Sequence, residues 1–137
     1  LERTNIRYLT PEKLFHDGFP IPDFAVADLS FISLKIVLPS IKSLLSKDKS
    51  ELLLLVKPQF EVGKEKVGKG GVVRDQMLHV EAIEGVITES IRNGWYPKGL
   101  VASPLKGPAG NQEYIVWLDD QIREKTMEIE NYVRLTK

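Results

Sequence analysis

The chain has 137 residues, 42% hydrophobic and 28% charged, with 19 basic and 19 acidic side chains and no net charge. That length and apolar content suit one domain, and zero net charge excludes a global field that gathers nucleic acid or acidic membrane, so such contacts need a local patch. There is no cysteine, which excludes disulfides, thiolate catalysis and cysteine zinc sites and fits a reducing cytoplasm; no apolar run approaches the ~20 residues that span a bilayer.

Leu1 to Leu9 reads as extended or irregular, without the basic-then-apolar pattern of a signal peptide. No initiator methionine opens it, so the chain is expected to start within a longer protein. Thr10 caps and Pro11 opens a short helix, which Gly18 and Pro20 end. Asp23-Phe24-Ala25-Val26-Ala27-Asp28 then reads as a buried strand. Ser30 or Ser33 can cap the next helix, whose apolar positions 34, 37, 38, 41, 44 and 45 share one face. Pro39 inside that pattern predicts a kink or a split. Glu51-Leu52-Leu53-Leu54-Leu55-Val56-Lys57 is a second strand, too apolar for a surface strand and too short for an ordinary helix. The unit is therefore strand, helix, strand, a parallel crossover.

From Val62 to Val73 four glycines alternate with charges, which predicts a mobile loop. Asp75 caps a long helix that Gly94 ends. Its apolar positions are 77, 78, 82, 83, 86, 87 and 91. A strand follows around Leu100-Val101-Ala102, then a Pro- and Gly-rich loop from Ser103 to Gly110. Glu113 to Leu118 is the last strand, with Trp117 expected in the core. A thin stripe of Ile122, Ile129 and Val133 suggests a partly exposed C-terminal helix.

Ligands of open parallel sheets sit beyond the carboxyl ends of the strands. Asp28 and Lys57 fall at those ends. Asp28 could neutralise a cation, orient an amine or bind a metal, or simply cap a helix or make a loop hydrogen bond. Lys57 ends so apolar a strand that its amine is partly desolvated and could take a proton from a hydroxyl; otherwise its stem packs while its head reaches water. Glu61 could be a plain salt-bridge partner. Glu113 joins the same edge if the last strand runs antiparallel, and is otherwise a solvent-facing carboxylate at a strand entry. Lys64, Lys66, Lys69 and Arg74 make the glycine loop basic, and it could close over a polyanion or simply be a solvated loop. Its glycines lack the spacing of a P-loop or dinucleotide fingerprint. His16 and His79 are isolated, so no metal site is expected, and Trp95 should pack.

Five strings then occur in order: Glu2-Arg3-Thr4-Asn5, Asp28-Leu29-Ser30-Phe31-Ile32-Ser33-Leu34, Val56-Lys57-Pro58-Gln59-Phe60-Glu61, Gly68-Lys69-Gly70-Gly71-Val72-Val73-Arg74-Asp75 and Gly107-Pro108-Ala109-Gly110-Asn111-Gln112-Glu113-Tyr114. Over residues 1–118 the chain resembles the TlyA family, often labelled hemolysin A, which contains an FtsJ-like RNA methyltransferase domain. The resemblance implies an α/β Rossmann-like methyltransferase fold with a mostly parallel sheet and an antiparallel last strand. It divides the chain into a partial methyltransferase domain over 1–118 and a helical tail over 119–137. It implies S-adenosylmethionine as cofactor and 2′-O-methylated ribose in ribosomal RNA as product. By motif, Asp28, Lys57 and Glu113 match the family's catalytic aspartate, second lysine and glutamate. Asn5 and Asp28 would face the cofactor, and Lys64, Lys66, Lys69 and Arg74 the RNA.

The family's first lysine and glycine-rich cofactor loop precede Glu2-Arg3-Thr4-Asn5 and are not found here. The chain thus resembles the second half of the enzyme. It is expected to be inactive alone, with an exposed parallel sheet edge that a second copy could cover. A non-enzymatic RNA-binding or assembly module is the alternative. A membrane-active lysin is disfavoured, because the tail lacks a broad apolar face.

Overall fold

The computed structural model describes residues 20–123 and 127–134. The short helix at Thr10-Pro11, Asn5 and His16 lie outside them. Strand β1 (Phe24–Ala27) leads through helix α1 (Leu34–Leu44) to β2 (Glu51–Val56) and the single turn α2 (Pro58–Glu61). Helix α3 (Gln76–Arg92), β3 (Tyr96–Ala102), β4 (Tyr114–Asp119) and a short α4 (Ile129–Arg134) follow. The sheet order is β1-β2-β4-β3. β1 and β2 are parallel, and β4 runs antiparallel to both β2 and β3. The expected crossover and reversed last strand are both present.

The core sits on one face of this sheet. Leu52, Leu54 and Val56 of β2 and Tyr114, Val116 and Leu118 of β4 are fully buried. They meet Leu34, Val37, Leu38 and Ile41 of α1 and Val80, Ile83, Val86 and Ile87 of α3. Each such side chain contributes roughly 1.5–3 kcal/mol when fully buried. Trp95 closes the far end, fully buried, its indole N–H donating to Ser50 Oγ at 2.8 Å. Residues alternating with these point the other way. Leu53, Leu55 and Ile115 are half-buried, and Val26, Val101 and Trp117 are exposed. Trp117 is therefore not core: Val116 and Leu118 fill the core positions of β4, and a period of two turns residue 117 outward. Its ring lies under Lys98 Nζ, 4.1 Å from the centroid, and its N–H donates to Glu51 at 2.8 Å.

The long helix keeps its caps but rotates its buried face. Asp75 accepts from Met77 N–H, and Gly94, at φ 88°, ends the helix. Met77 and Ile91 are exposed, while His79 and Ser90 are buried. Helix α1 continues across Pro39 without a split. Proline costs it the hydrogen bond to the Lys35 carbonyl, but Lys35 and Pro39 both face solvent, where water can serve that oxygen. In the tail, Ile129 and Val133 are buried and Ile122 is exposed. Asp119, at the end of β4, holds Arg123 through two bonds of 2.6 and 2.8 Å, and this guanidinium keeps its carboxyl below the usual range.

The start of α1 is fixed from a distance. Glu61, at the end of α2, accepts from Leu34 N–H at 2.8 Å and from Ser33 Oγ at 2.6 Å. Ser33 itself caps Lys35 N–H at 3.2 Å. Glu61 is thus a helix cap rather than a salt-bridge partner. Burial pushes its carboxyl above the usual glutamate value, against the opposing pull of Ser33, Leu34 and nearby Lys35. An acid with a raised folded-state pKa binds protons more tightly folded than unfolded, so stability falls as pH rises through that pKa. Urea unfolding from about pH 4 to about pH 7 should show wild type losing stability relative to Glu61→Gln as pH increases.

Candidate active site

The carboxyl ends of β1 and β2 bring the first two candidates together. Ala27 pairs with Leu54, so Asp28 leaves the sheet just below the level at which Lys57 leaves β2. Lys57 Nζ lies 2.6 Å from Asp28 Oδ1 and donates to Ser30 Oγ at 3.1 Å. The lysine side chain is 9% exposed and the aspartate 64%. The amine is therefore desolvated, as its strand predicts, but its head is held by two partners instead of reaching freely into water. Two of its three N–H donors are engaged, which leaves one direction for a further oxygen.

Glu113 comes from the other side. Val56 pairs with Tyr114 in the antiparallel register, so the next position outward sets Lys57 beside Glu113. Glu113 is 5% exposed, not a solvent-facing carboxylate. Its partner is Gln59 Nε2, at 2.9 Å, and no ion pair within 4.0 Å joins it to Lys57. Pro58 opens α2 directly after Lys57 and turns the chain so that Gln59 reaches back to this carboxylate. A Cβ at Gly107 would overlap the Glu113 carboxylate as it stands, so a larger residue there would displace that group. Asp28 thus meets Lys57 directly, while Glu113 stands at the neighbouring strand entry, bonded to Gln59.

The glycine segment is not an open loop. Lys64–Lys66 and Lys69–Gly71 form two 3-10 turns. Buried Asn111 pins them, its Oδ1 accepting from Val73 N–H at 3.0 Å and its Nδ2 donating to the Gly71 carbonyl at 2.8 Å and to the Pro108 carbonyl at 3.1 Å. His79 adds a second tie, bonded to the Val73 carbonyl at 2.7 Å and to Tyr114 Oη at 2.8 Å. It is a structural residue. Of the basic candidates, Lys66 is paired with Glu81 at 3.0 Å and Arg74 donates to the Lys69 carbonyl at 3.2 Å. Lys64 faces the adjoining cavity.

That cavity, about 910 Å³, lies between Ser30–Ser33, α2, the glycine segment and the Pro108–Asn111 turn. Phe31 stands at its mouth, 89% exposed, with its ring 5.0 Å from that of Phe60. Phe31 (φ 64°) and Ala109 (φ 59°) are the non-glycine residues with positive φ among those described, and both line it. Such backbone costs of order 1–3 kcal/mol per residue and gathers at functional sites. Gln59, Asn111 and Phe31 line this cavity. Sequence reasoning passed over them because none is titratable. The unusual signal was a phenylalanine directly after the Asp28-Leu29-Ser30 strand exit.

Comparison with known proteins fits this geometry. The model of the FtsJ-like methyltransferase family matches residues 1–120. The chain belongs to the FtsJ-like methyltransferase family. It is 50% identical over 121 residues to the 16S/23S rRNA (cytidine-2′-O)-methyltransferase TlyA of Mycobacterium tuberculosis, covering 88% of this chain and 43% of that protein. The 23S rRNA (cytidine-2′-O)-methyltransferase TlyA of Campylobacter jejuni is 36% identical over 117 residues, 85% of this chain and 42% of that one. The crystal structure of a Lactococcus lactis protein described as a hemolysin superposes with a TM-score of 0.86 at 37% identity, over 98% of this chain and 64% of that one. The chain spans less than half the length of these curated relatives. Hemolysin A of Brachyspira hyodysenteriae is 35% identical over 107 residues, 76% of this chain and 42% of that one. Among the described residues no helix is long and apolar enough to cross a membrane.

Asn111→Ala should remove the clamp. It leaves the buried Val73 N–H without its acceptor, a loss of about 1–3 kcal/mol. Denaturant melts should report that loss, and hydrogen exchange should show the Val73 amide opening faster than in wild type.

Proposed function

We propose that this chain is the catalytic part of an S-adenosylmethionine-dependent enzyme that methylates a ribose 2′-oxygen in ribosomal RNA. The observation that carries the proposal is the buried Lys57 amine, held by Asp28 and Ser30 at the carboxyl rim of the sheet, with Glu113 beside it. Membership of a methyltransferase family and the names of the relatives support the same chemistry.

In this mechanism Lys57 first gives its third proton to solvent, and the lone pair left at that direction faces the ribose 2′-hydroxyl and takes its proton. Asp28 stabilises the ammonium that results. Ser30 fixes the amine's position, so that little orientation is lost when the hydroxyl arrives. Glu113, held by Gln59, flanks the site from the entry of β4. S-adenosylmethionine, when bound, supplies the electrophilic methyl group. Among the described residues Asp28 fits a cationic ligand, with an exposed carboxylate at a strand end; Asn5 is the further candidate toward the cofactor. Phe31 offers an open aromatic face on which a base can stack. Lys64, Lys69 and Arg74 on the clamped segment would meet phosphates, with Lys66 contributing if RNA displaces Glu81.

The alternative, an RNA-binding module without catalysis, separates cleanly. Lys57→Ala in the full-length protein should cut methyl transfer to ribosomal RNA by about 10²–10⁴-fold while RNA affinity is kept. Transfer that survives alongside weakened RNA binding would instead favour the binding module.

A further inference from the structure

We propose that Glu61 is a positioning residue for methyl transfer: it holds the far end of the segment that joins β1 to α1, and so keeps Ser30 against the Lys57 amine. The inference rests on the methyltransferase proposal and extends it to a side chain remote from the reacting atoms.

Residues 28–33 belong to no helix or strand, so side chains rather than a backbone ladder must fix them. One short helix supplies both holds. Lys57, directly before Pro58 of α2, meets Asp28 at 2.6 Å and donates to Ser30 Oγ at 3.1 Å. Glu61, the last residue of α2, accepts from Ser33 Oγ at 2.6 Å and from Leu34 N–H at 2.8 Å. Lys57 and Glu61 stand about one helical turn apart. They grip the segment at Ser30 and Ser33, on either side of Phe31. α2 is thus a spacer that sets where Ser30 stands relative to the start of α1. Ser33 already caps Lys35 N–H, so the half-buried carboxylate brought from α2 adds a tie between two elements and not only a cap.

Between the grips Phe31 has φ 64°. A bulky residue keeps such backbone only where its surroundings over-determine it. Here they comprise the two grips and the Phe60 ring of α2, 5.0 Å from the Phe31 ring. This strain and a hydrogen bond to a charged group are worth free energies of the same order, so loss of Glu61 lets the segment relax. The relaxation reaches Ser30 before Asp28. Asp28 directly follows Ala27, which pairs with Leu54 in the ladder. Ser30 is further out and exposed, and among the described residues its hydroxyl bonds to Lys57 alone. The amine then loses the partner that fixes its direction.

The test is a double-mutant cycle on methyl transfer to ribosomal RNA by the full-length protein, with every variant held below its unfolding temperature. Glu61→Ala and Ser30→Ala should each lower kcat by about tenfold to a hundredfold. The double variant should fall within about twofold of the slower single one, because both changes remove the same placement of Lys57. Glu61→Gln, whose amide can accept from Leu34 N–H and donate to Ser33 Oγ, should restore kcat to within about threefold of wild type. Effects that multiply in the double variant overturn the proposal, since a contribution to stability alone acts independently of Ser30. So does a Glu61→Ala protein as fast as wild type, or a Glu61→Gln protein as slow as Glu61→Ala. If Glu61→Ala does not fold, Ser33→Ala, which removes the hydroxyl that Glu61 holds, takes its place in the cycle and is read the same way. A wild type that transfers no methyl group to ribosomal RNA defeats the methyltransferase proposal itself, and this inference falls with it.

Discussion

The 2.6 Å contact between Lys57 and Asp28 is what makes the rim of this sheet a site. A lysine head at 9% exposure is tolerable only because opposite charge and a hydroxyl meet it. That pairing depends on parallel register, since one residue of slippage between β1 and β2 would turn the two strand exits to opposite faces. The leucines of β2 set this register from below, through Leu52 and Leu54 in the core. Packing on the buried side thus fixes chemistry at the open end, and the pair cannot form unless the whole β1-α1-β2 unit has folded.

A second layer of polar contacts locks what the strands present. Gln59, Glu61, His79 and Asn111 each join segments far apart in sequence. Glu61 links α2 to the start of α1, Gln59 links α2 to the entry of β4, and Asn111 links the Pro108 turn to the glycine segment. The cavity walls are consequently held by side-chain bonds rather than by backbone ladders. Local strain at Phe31 and Ala109 sits within this frame and persists because the surrounding contacts over-determine it.

Much of this was legible in the sequence. Strand periodicity and apolar runs gave β1, β2 and β4, and the caps Ser33, Asp75 and Gly94 acted where their chemistry predicts. Asp28 and Lys57 were recognisable because a charged residue ending an apolar strand is conspicuous. What could not be read was which side of a strand a residue takes when both are apolar: Trp117 looked like core because its neighbours are. The glycine segment looked loose because composition records glycines but not the distant asparagine that ties them down. Gln59 was silent for a similar reason. A neutral amide acquires a role only through its partners, and those lie on another strand.

The two tryptophans differ in exposure. Each lies beneath a lysine amine, Lys42 over Trp95 and Lys98 over Trp117, but Trp95 is sealed at 0% exposure and Trp117 is 38% exposed. Their fluorescence should therefore separate by wavelength, the sealed indole emitting to the blue and the outer one to the red. The blue component becomes an internal gauge of whether the domain is intact, and the red one a gauge of whatever settles against Trp117. A single emission spectrum can then distinguish unfolding from docking without any added label.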